Sequence, residues 1–266
     1  MSGFIFLFVI LTYMKIISWN VNGVRAVSKK DSWQEVLNLS PDILAIQETK
    51  ATPEQLSESV LNPKGYVSCF DSSKIRKGYS GVAVYSKIKP EKIEYGLGAD
   101  HMDMEGRLLT LYFKDVIIMN CYFPNGGKSD EHFLYKLEYY DQFLKRAKVL
   151  EKKKPVIFMG DINATVADID LARPKENAGK LGCTEDERTR LSLFVTNFVD
   201  TFRYMHGEVS KYTWWDMKTR ARERGVGWRI DYIFVSRVLQ KNIKKAEILD
   251  TISGSDHCPI LLDIEV

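Results

Sequence analysis

Carboxylate, amide and imidazole side chains collect at the ends of short apolar runs in this 266-residue sequence. Asn20 and Asn22 follow the run Lys15–Trp19, and Glu48 lies in Gln47-Glu48-Thr49-Lys50 after Ile43–Ile46. Tyr122 and Asn125 close the run that starts at Val116. Asp161 and Asn163 follow Val156–Met159, Asp231 sits at the start of Ile230–Val235, and Ser255-Asp256-His257 precedes Ile260–Ile264. Each has an ordinary explanation when taken alone. A lone Glu at a strand end is usually a solvated carboxylate, the Asp of Gly-Asp-Ile-Asn is a turn former, and Asp256 could cap a turn before Pro259. The set carries the argument, because loops at strand ends are where a rigid sheet presents functional groups. Together these types would place a hard-metal site and a His–Asp dyad in one pocket. Carboxylate and amide oxygens suit Mg²⁺, with Mn²⁺ as a substitute, whereas zinc would want more His or Cys. Beside a phosphate, Mg²⁺ polarises the phosphoryl oxygen and neutralises developing charge. With four histidines in the chain, a dinuclear centre built on several imidazoles is disfavoured.

The elements that must position these groups are many and short. β-branched and aromatic runs at Lys15–Trp19, Ile43–Ile46, Gly81–Tyr85, Leu108–Phe113, Val116–Tyr122, Val156–Met159, Ile230–Val235 and Ile260–Ile264 read as mostly buried strands. Ser32–Leu39, Glu131–Leu150 and Glu185–Phe198 carry apolar residues at helical spacing, and Pro41 and Pro155 each stand between a helix and the next strand. Strands both adjacent and alternating with helices predict an α/β sandwich. The length is compatible with one domain over residues 14–266. Residues 1–13 read as an appended apolar stretch: Gly3–Leu11 is too short to span a bilayer, which takes about 20 residues, and lacks the flanks of a signal peptide. Lys+Arg (38) barely exceeds Asp+Glu (35), so any nucleic-acid footprint must be local. Four scattered cysteines without a CxxC pair suit free thiols in a reducing cytoplasm, with no membrane partner.

As a set, Ile17-Ser-Trp-Asn-Val-Asn-Gly-Val-Arg-Ala26, Gln47-Glu-Thr-Lys50, Gly78-Tyr-Ser-Gly-Val82, Tyr122-Phe-Pro-Asn-Gly126, Gly160-Asp-Ile-Asn163, Val226-Gly-Trp-Arg-Ile-Asp231 and Gly254-Ser-Asp-His-Cys-Pro259 resemble the exonuclease III family of abasic-site endonucleases. The resemblance runs in order from about Met14 to Val266. It looks closest to archaeal members through Tyr212-Thr-Trp-Trp215 and Thr219-Arg-Ala-Arg-Glu-Arg224. It implies a four-layer α/β sandwich of two packed mixed sheets flanked by helices. The implied activity is Mg²⁺-dependent hydrolysis of the phosphodiester 5′ to abasic sites in double-stranded DNA, with 3′–5′ exonuclease or 3′-end trimming and incision beside deoxyuridine as extensions, carried out by a monomer. By the same match, Glu48 is the main metal ligand, with Asn20, Asn22 and Asp256 beside the metal. Some relatives carry Asp at the position of Asn22, which leaves direct contact by Asn22 open. Asp161 resembles the residue that activates or orients the attacking water, with Asn163 beside it. His257, held by Asp231, resembles the phosphate-contacting imidazole, and Tyr122 the hydroxyl that reaches the scissile phosphate.

Two segments speak to the substrate. Trp214, Trp228 and Ile230 resemble the apolar pocket in which relatives hold a flipped-out sugar; extrusion costs least where the nucleotide is damaged. Arg173 and Asn177 match positions that contact DNA in relatives, although some have Asn where Arg173 stands. Lys218, Arg220, Arg222 and Arg224 form a basic loop suited to phosphates; Tyr79, Asn125 and Lys128, with Arg76 and Lys77, extend the expected footprint. A phosphodiesterase acting on lipids, inositol phosphates or RNA tails would share the metal chemistry but lack the Val-Gly-Trp-Arg-Ile-Asp segment. A catalytically dead nucleic-acid binder would not need Glu48, Asp161, Asn163, Asp231 and His257.

Overall fold

Side chains two residues apart share a face of a strand, so alternation decides what each sheet must bury. In the run at 43–47, Ile43 and Ala45 point one way, Leu44 and Ile46 the other, and all four are buried. Such strands need cover on both faces. The computed structural model describes residues 12–266. Its strands are β1 (Tyr13–Asn20), β2 (Ile43–Gln47), β3 (Val67–Asp71), β4 (Val82–Ser86), β5 (Lys92–Tyr95), β6 (Leu108–Tyr112), β7 (Ile117–Tyr122), β8 (Val156–Asp161), β9 (Phe198–Asp200), β10 (Asp231–Ser236), β11 (Ile243–Ile248) and β12 (Ile260–Glu265). They form two six-stranded sheets, ordered β11-β12-β1-β2-β4-β3 and β5-β6-β7-β8-β10-β9. Both are mixed: β1–β2 and β7–β8 pair parallel and every other neighbour antiparallel.

The sheets face each other across a core that includes Ile16, Ile43 and Val84 from one and Ile118, Ile157 and Val235 from the other. Helices Asp130–Glu151 and Glu185–Asn197 cover the outer face of the second sheet, where Phe143 and Phe194 meet Phe158 and Phe234. Helix Asp31–Asn38 covers the first, setting Trp33 edge-on to Tyr85. The long helix starts at a Ser129 cap with Asp130 and Glu131 in its first turn, favourable placements for an N-terminus. The architecture is the four-layer α/β sandwich expected from the sequence.

Four strands were not legible. β3, β5 and β11 lie at or near sheet edges with partly exposed patterns, and β9 has three residues, so none offers a continuous apolar run. The expected helix at 185–198 ends at Asn197, because Phe198 already pairs with Ser236 in β9. Ile230 lies just outside β10. Of the stretch set apart at 1–13, residues 1–11 lie outside the described residues. Thr12 exchanges backbone hydrogen bonds with Val266, and Tyr13 pairs with Glu265 inside β1, so the sheet begins before Met14. Among the described residues no helix is long and apolar enough to cross a membrane, and the four cysteines are free and buried.

Candidate active site

The parity that fills the core continues past its last apolar members. Asn20 shares a face with Ile16, Tyr122 with Ile118, Asp161 with Met159, and Asp231 with Ile233. Register brings these ends level, since Asp161 is the partner of both Tyr122 and Asp231, and Asn20 that of Gln47. The alternation that makes the core thereby delivers polar groups to one rim of the sandwich.

At that rim the side chains form one bonded set. The Asn20 amide donates to Glu48 Oε1 at 2.9 Å and to Asp161 Oδ2 at 2.8 Å. Asn163 donates its backbone N–H to Asp161 Oδ1 at 2.8 Å and its amide to the Phe123 carbonyl at 2.9 Å, and accepts from Asn125 at 3.0 Å. Lys50 pairs with Glu48 Oε2 at 2.7 Å and donates to Asn22, whose amide donates to Asp256 Oδ1 at 2.9 Å. Trp214 Nε1 donates to the other Asp256 oxygen at 3.1 Å. Asn22, Glu48, Lys50 and Asn163 all adopt positive φ, between 45° and 59°. Non-glycine residues seldom do so, and such strain concentrates where geometry is over-determined.

On the facing side His257 is buried, with Nδ1 2.8 Å from Asp231 Oδ2 and Nε2 3.8 Å from Asp161 Oδ2. Burial by itself would lower the imidazole pKa. The carboxylates of Asp231 and then Asp161 outweigh it and raise the value to about 10, so the ring is held cationic. Asp161 moves up to about 7, chiefly through burial, with His257 opposing and Asp231 and Glu48 reinforcing the rise. Glu48 moves down: burial opposes ionisation, but Lys50 and the Asn20 amide prevail. Asp256 likewise falls, with burial overcome by His257, Asn22 and Trp214. The Tyr122 phenol is pushed well up by burial and then by the Glu48 charge.

Ligand atoms of Glu48, Asp161 and His257 lie within 4.8 Å of one another; the cationic ring has no lone pair to give a metal, so the two carboxylates are the candidate ligands and the imidazolium stands beside them. Glu48, Asp161, Asp231 and Asp256 face two cations, Lys50 and His257, which leaves a negative excess. Oxygen-rich, anionic and converging, this donor set fits a hard divalent ion better than zinc. The acidic cluster is therefore a candidate metal site, with the His257 imidazolium opposite.

The surroundings sort the remaining expectations. Trp214 and Trp228 meet edge to face at 6.1 Å beside Asp256 and are half-buried, while Ile230 is almost wholly buried and can offer little surface. Tyr79 receives Arg107 Nη2 on its hydroxyl at 3.0 Å and has Lys128 over its ring at 4.8 Å. Arg173 and Asn177 bond Glu176 and each other rather than the central set, and Lys218 stands exposed on its loop. Arg222 does not belong to a free basic cluster. It donates to the carbonyls of Asp250 and Ile252 and stacks on Trp215 at 4.5 Å, which makes it a loop clamp. Arg224 is exposed and donates to the Thr219 carbonyl within its own loop.

Three residues near the site escaped the sequence reading. Lys50 was visible within its motif but signalled no role. Arg107 is buried, bonded to Glu105 and the Tyr122 carbonyl; an arginine before an apolar run was the only hint. The Thr213 hydroxyl accepts from the backbone N–H groups of Ile230 and Asp231, each at 3.1 Å, and the motif Tyr212-Thr-Trp-Trp215 that contains it signals no role for it.

A model of the Endonuclease/Exonuclease/phosphatase family matches residues 17–257. The chain belongs to that family. It is 40% identical over 256 residues to an exodeoxyribonuclease of Bacillus subtilis, covering 95% of this chain and 100% of that protein. It is 38% identical over 252 residues to a DNA-(apurinic or apyrimidinic site) endonuclease of Dictyostelium discoideum, covering 93% of this chain and 69% of that one. A solved AP endonuclease from Archaeoglobus fulgidus superposes with a TM-score of 0.84 at 30% identity, covering 95% of this chain and 100% of that chain. The fold and the family implied by the motifs are those found, and the chain is a nuclease of the exonuclease and AP endonuclease type.

Proposed function

We propose that the chain is a Mg²⁺-dependent DNA repair nuclease that hydrolyses the phosphodiester 5′ to abasic sites in double-stranded DNA. It would trim 3′ ends by the same chemistry and extend to incision beside deoxyuridine, acting as a cytoplasmic monomer on the nucleoid. The observation that carries the reading is the convergence of Glu48, Asp161 and His257 within 4.8 Å, next to a half-buried tryptophan pair. The names of the relatives, exodeoxyribonuclease and apurinic or apyrimidinic endonuclease, support the substrate.

In this reading Glu48 would hold Mg²⁺, with Asn20, Asn22 and Asp256 beside it. The bound ion would supply Lewis-acid stabilisation of charge on the phosphate. Asp231 fixes the His257 ring, and the imidazolium pairs with a non-bridging oxygen of the scissile phosphate. Asp161, steered by Asn163, takes the proton from a water that attacks phosphorus. The bond to O3′ breaks and the departing oxygen takes a proton from solvent, leaving a 3′-hydroxyl and a 5′-deoxyribose phosphate, and the Tyr122 hydroxyl steadies the phosphate during the inversion. Trp214 and Trp228, with Ile230 behind them, bound the space for a sugar without a base. Tyr79, Asn125, Lys128, Arg173, Asn177 and Lys218 meet the flanking backbone. Gel assays on matched duplexes carrying an abasic analogue, deoxyuridine or no lesion test this. Preferential incision of the abasic duplex is expected, and equal cutting of all three would sink the lesion reading.

A further inference from the structure

Outside the rim lies a buried ionic network that the proposed chemistry does not use. Leu171 bridges Trp228, Trp228 bridges Trp214, and Trp214 bridges His257, which makes a continuous backbone ladder from the loop bearing Arg173 to the His257 main chain. Hydrogen bonds from Ala172 N–H to the Gly227 carbonyl at 3.0 Å, Trp228 N–H to the Trp214 carbonyl at 2.9 Å and Cys258 N–H to the Thr213 carbonyl at 2.8 Å hold its rungs. Arg229 sits at the outer end, between Trp228 and Ile230, with 2% of its surface exposed. Its Nε donates to Asp170 Oδ1 and its Nη2 to Asp200 Oδ2, each at 2.7 Å, while its backbone N–H bonds the Asp170 carbonyl at 2.8 Å. The guanidinium lies 4.4 Å from the centre of the Tyr232 ring, and the Tyr232 hydroxyl donates back to the Arg229 carbonyl at 2.8 Å. Arg203 completes Asp170 at 2.6 Å, so two guanidinium groups balance two carboxylates.

Stability alone does not account for four charges here. Desolvation largely cancels the attraction of a buried pair, and apolar residues of similar volume often serve as well or better. A two-armed guanidinium adds direction, fixing two carboxylates in one plane at set separations. One arm grips Asp170, directly before the ladder residue Leu171 and close to Arg173; the other grips Asp200 in β9.

We infer that Arg229 is a positioning residue for substrate selection: its fork sets the spacing between the Trp214–Trp228 wall and the 171–177 segment without touching the reacting atoms. The inference rests on the lesion reading proposed above. It is tested on the full chain with Arg229→Lys, which keeps the charge but loses the fork, Arg229→Met, and Asp200→Asn, which removes the charge from the second arm only. Kinetics on a duplex bearing a tetrahydrofuran abasic analogue in Mg²⁺ are paired with anisotropy binding of abasic and undamaged duplexes in EDTA. Losing a well-packed binding contact costs about ten- to a hundredfold in affinity. Arg229→Lys is therefore expected to raise KM and to cut the abasic-over-undamaged binding ratio by about ten- to a hundredfold, with kcat within about twofold. Asp200→Asn should show the same split more weakly, and it stands in should Arg229→Met fail to fold. A fall in kcat at unchanged KM, or unchanged KM and binding ratio in folded variants, overturns the inference. A wild-type protein that binds both duplexes equally overturns the lesion reading, and the inference with it.

Discussion

Asp231→Asn keeps the side-chain shape while removing the charge behind His257. In the native protein Asp231 Oδ2 lies 2.8 Å from Nδ1 and both groups are buried, so no water can replace the interaction cheaply. A charge-assisted bond of this kind contributes about 1.5–3 kcal/mol. At ~1.36 kcal/mol per tenfold, its loss from the transition state predicts a fall in kcat/KM of about 10- to 150-fold. The effect must depend on pH. The imidazole is held cationic up to about pH 10 because carboxylates outweigh burial. Without Asp231 burial regains weight, the pKa drops towards or below its ordinary value, and the cationic fraction is lost as pH rises through neutrality. Initial rates on an abasic duplex in Mg²⁺ from pH 6 to 9 should thus show an alkaline limb near neutrality that the wild type lacks, with the largest deficit at the alkaline end. A variant that runs parallel to wild type across the range, whatever its absolute rate, would refute the electrostatic role given to the dyad.

Other expectations follow from the same geometry. Glu48→Gln should lower turnover by about a hundredfold or more and abolish the rise in Tm on adding Mg²⁺; an unchanged Mg²⁺-induced shift would remove Glu48 from the metal site. Asp161 has a folded pKa raised to about 7, above its unfolded value. Metal-free stability should therefore decline between about pH 4 and 7, and Mg²⁺ held by Glu48, whose charge is favoured by an ionised Asp161 beside it, should raise Tm more at pH 8 than at pH 6; a pH-independent shift would contradict the placement. Trp228→Ala should raise KM for the abasic duplex by about tenfold, with a far smaller change in affinity for undamaged DNA. Lys136→Met breaks a wholly buried pair with Glu187 that also anchors the Asn163 carbonyl; urea unfolding should register a loss of about 3–5 kcal/mol.

What the sequence disclosed, and what it hid, divides by mechanism. Strands buried on both faces, such as Ile43–Gln47 and Val156–Asp161, could be read because nearly every position is apolar. Edge strands such as Lys92–Tyr95 could not, since half-exposed residues erase the pattern. Glu48, Asp161, Asp231 and His257 were legible as polar breaks at the ends of apolar runs, and their convergence follows from strand parity and register. Arg222 misled because charge in sequence says nothing of where the head group turns, here into loop carbonyls. Lys50, Arg107 and Thr213 went unassigned because Asn22, Tyr79 and Asp231, the partners that tie them to the site, lie far away in the chain. Long-range pairing of this kind has no local signature.

The most direct test of the central claim is incision of an end-labelled duplex carrying one abasic analogue, followed in Mg²⁺ and in EDTA, with both product termini identified. The site described here predicts a single cut 5′ to the lesion in Mg²⁺, leaving a 3′-hydroxyl and a 5′-deoxyribose phosphate, and none in EDTA. Absence of incision in Mg²⁺, full activity in EDTA, or cleavage on the 3′ side of the lesion would contradict it.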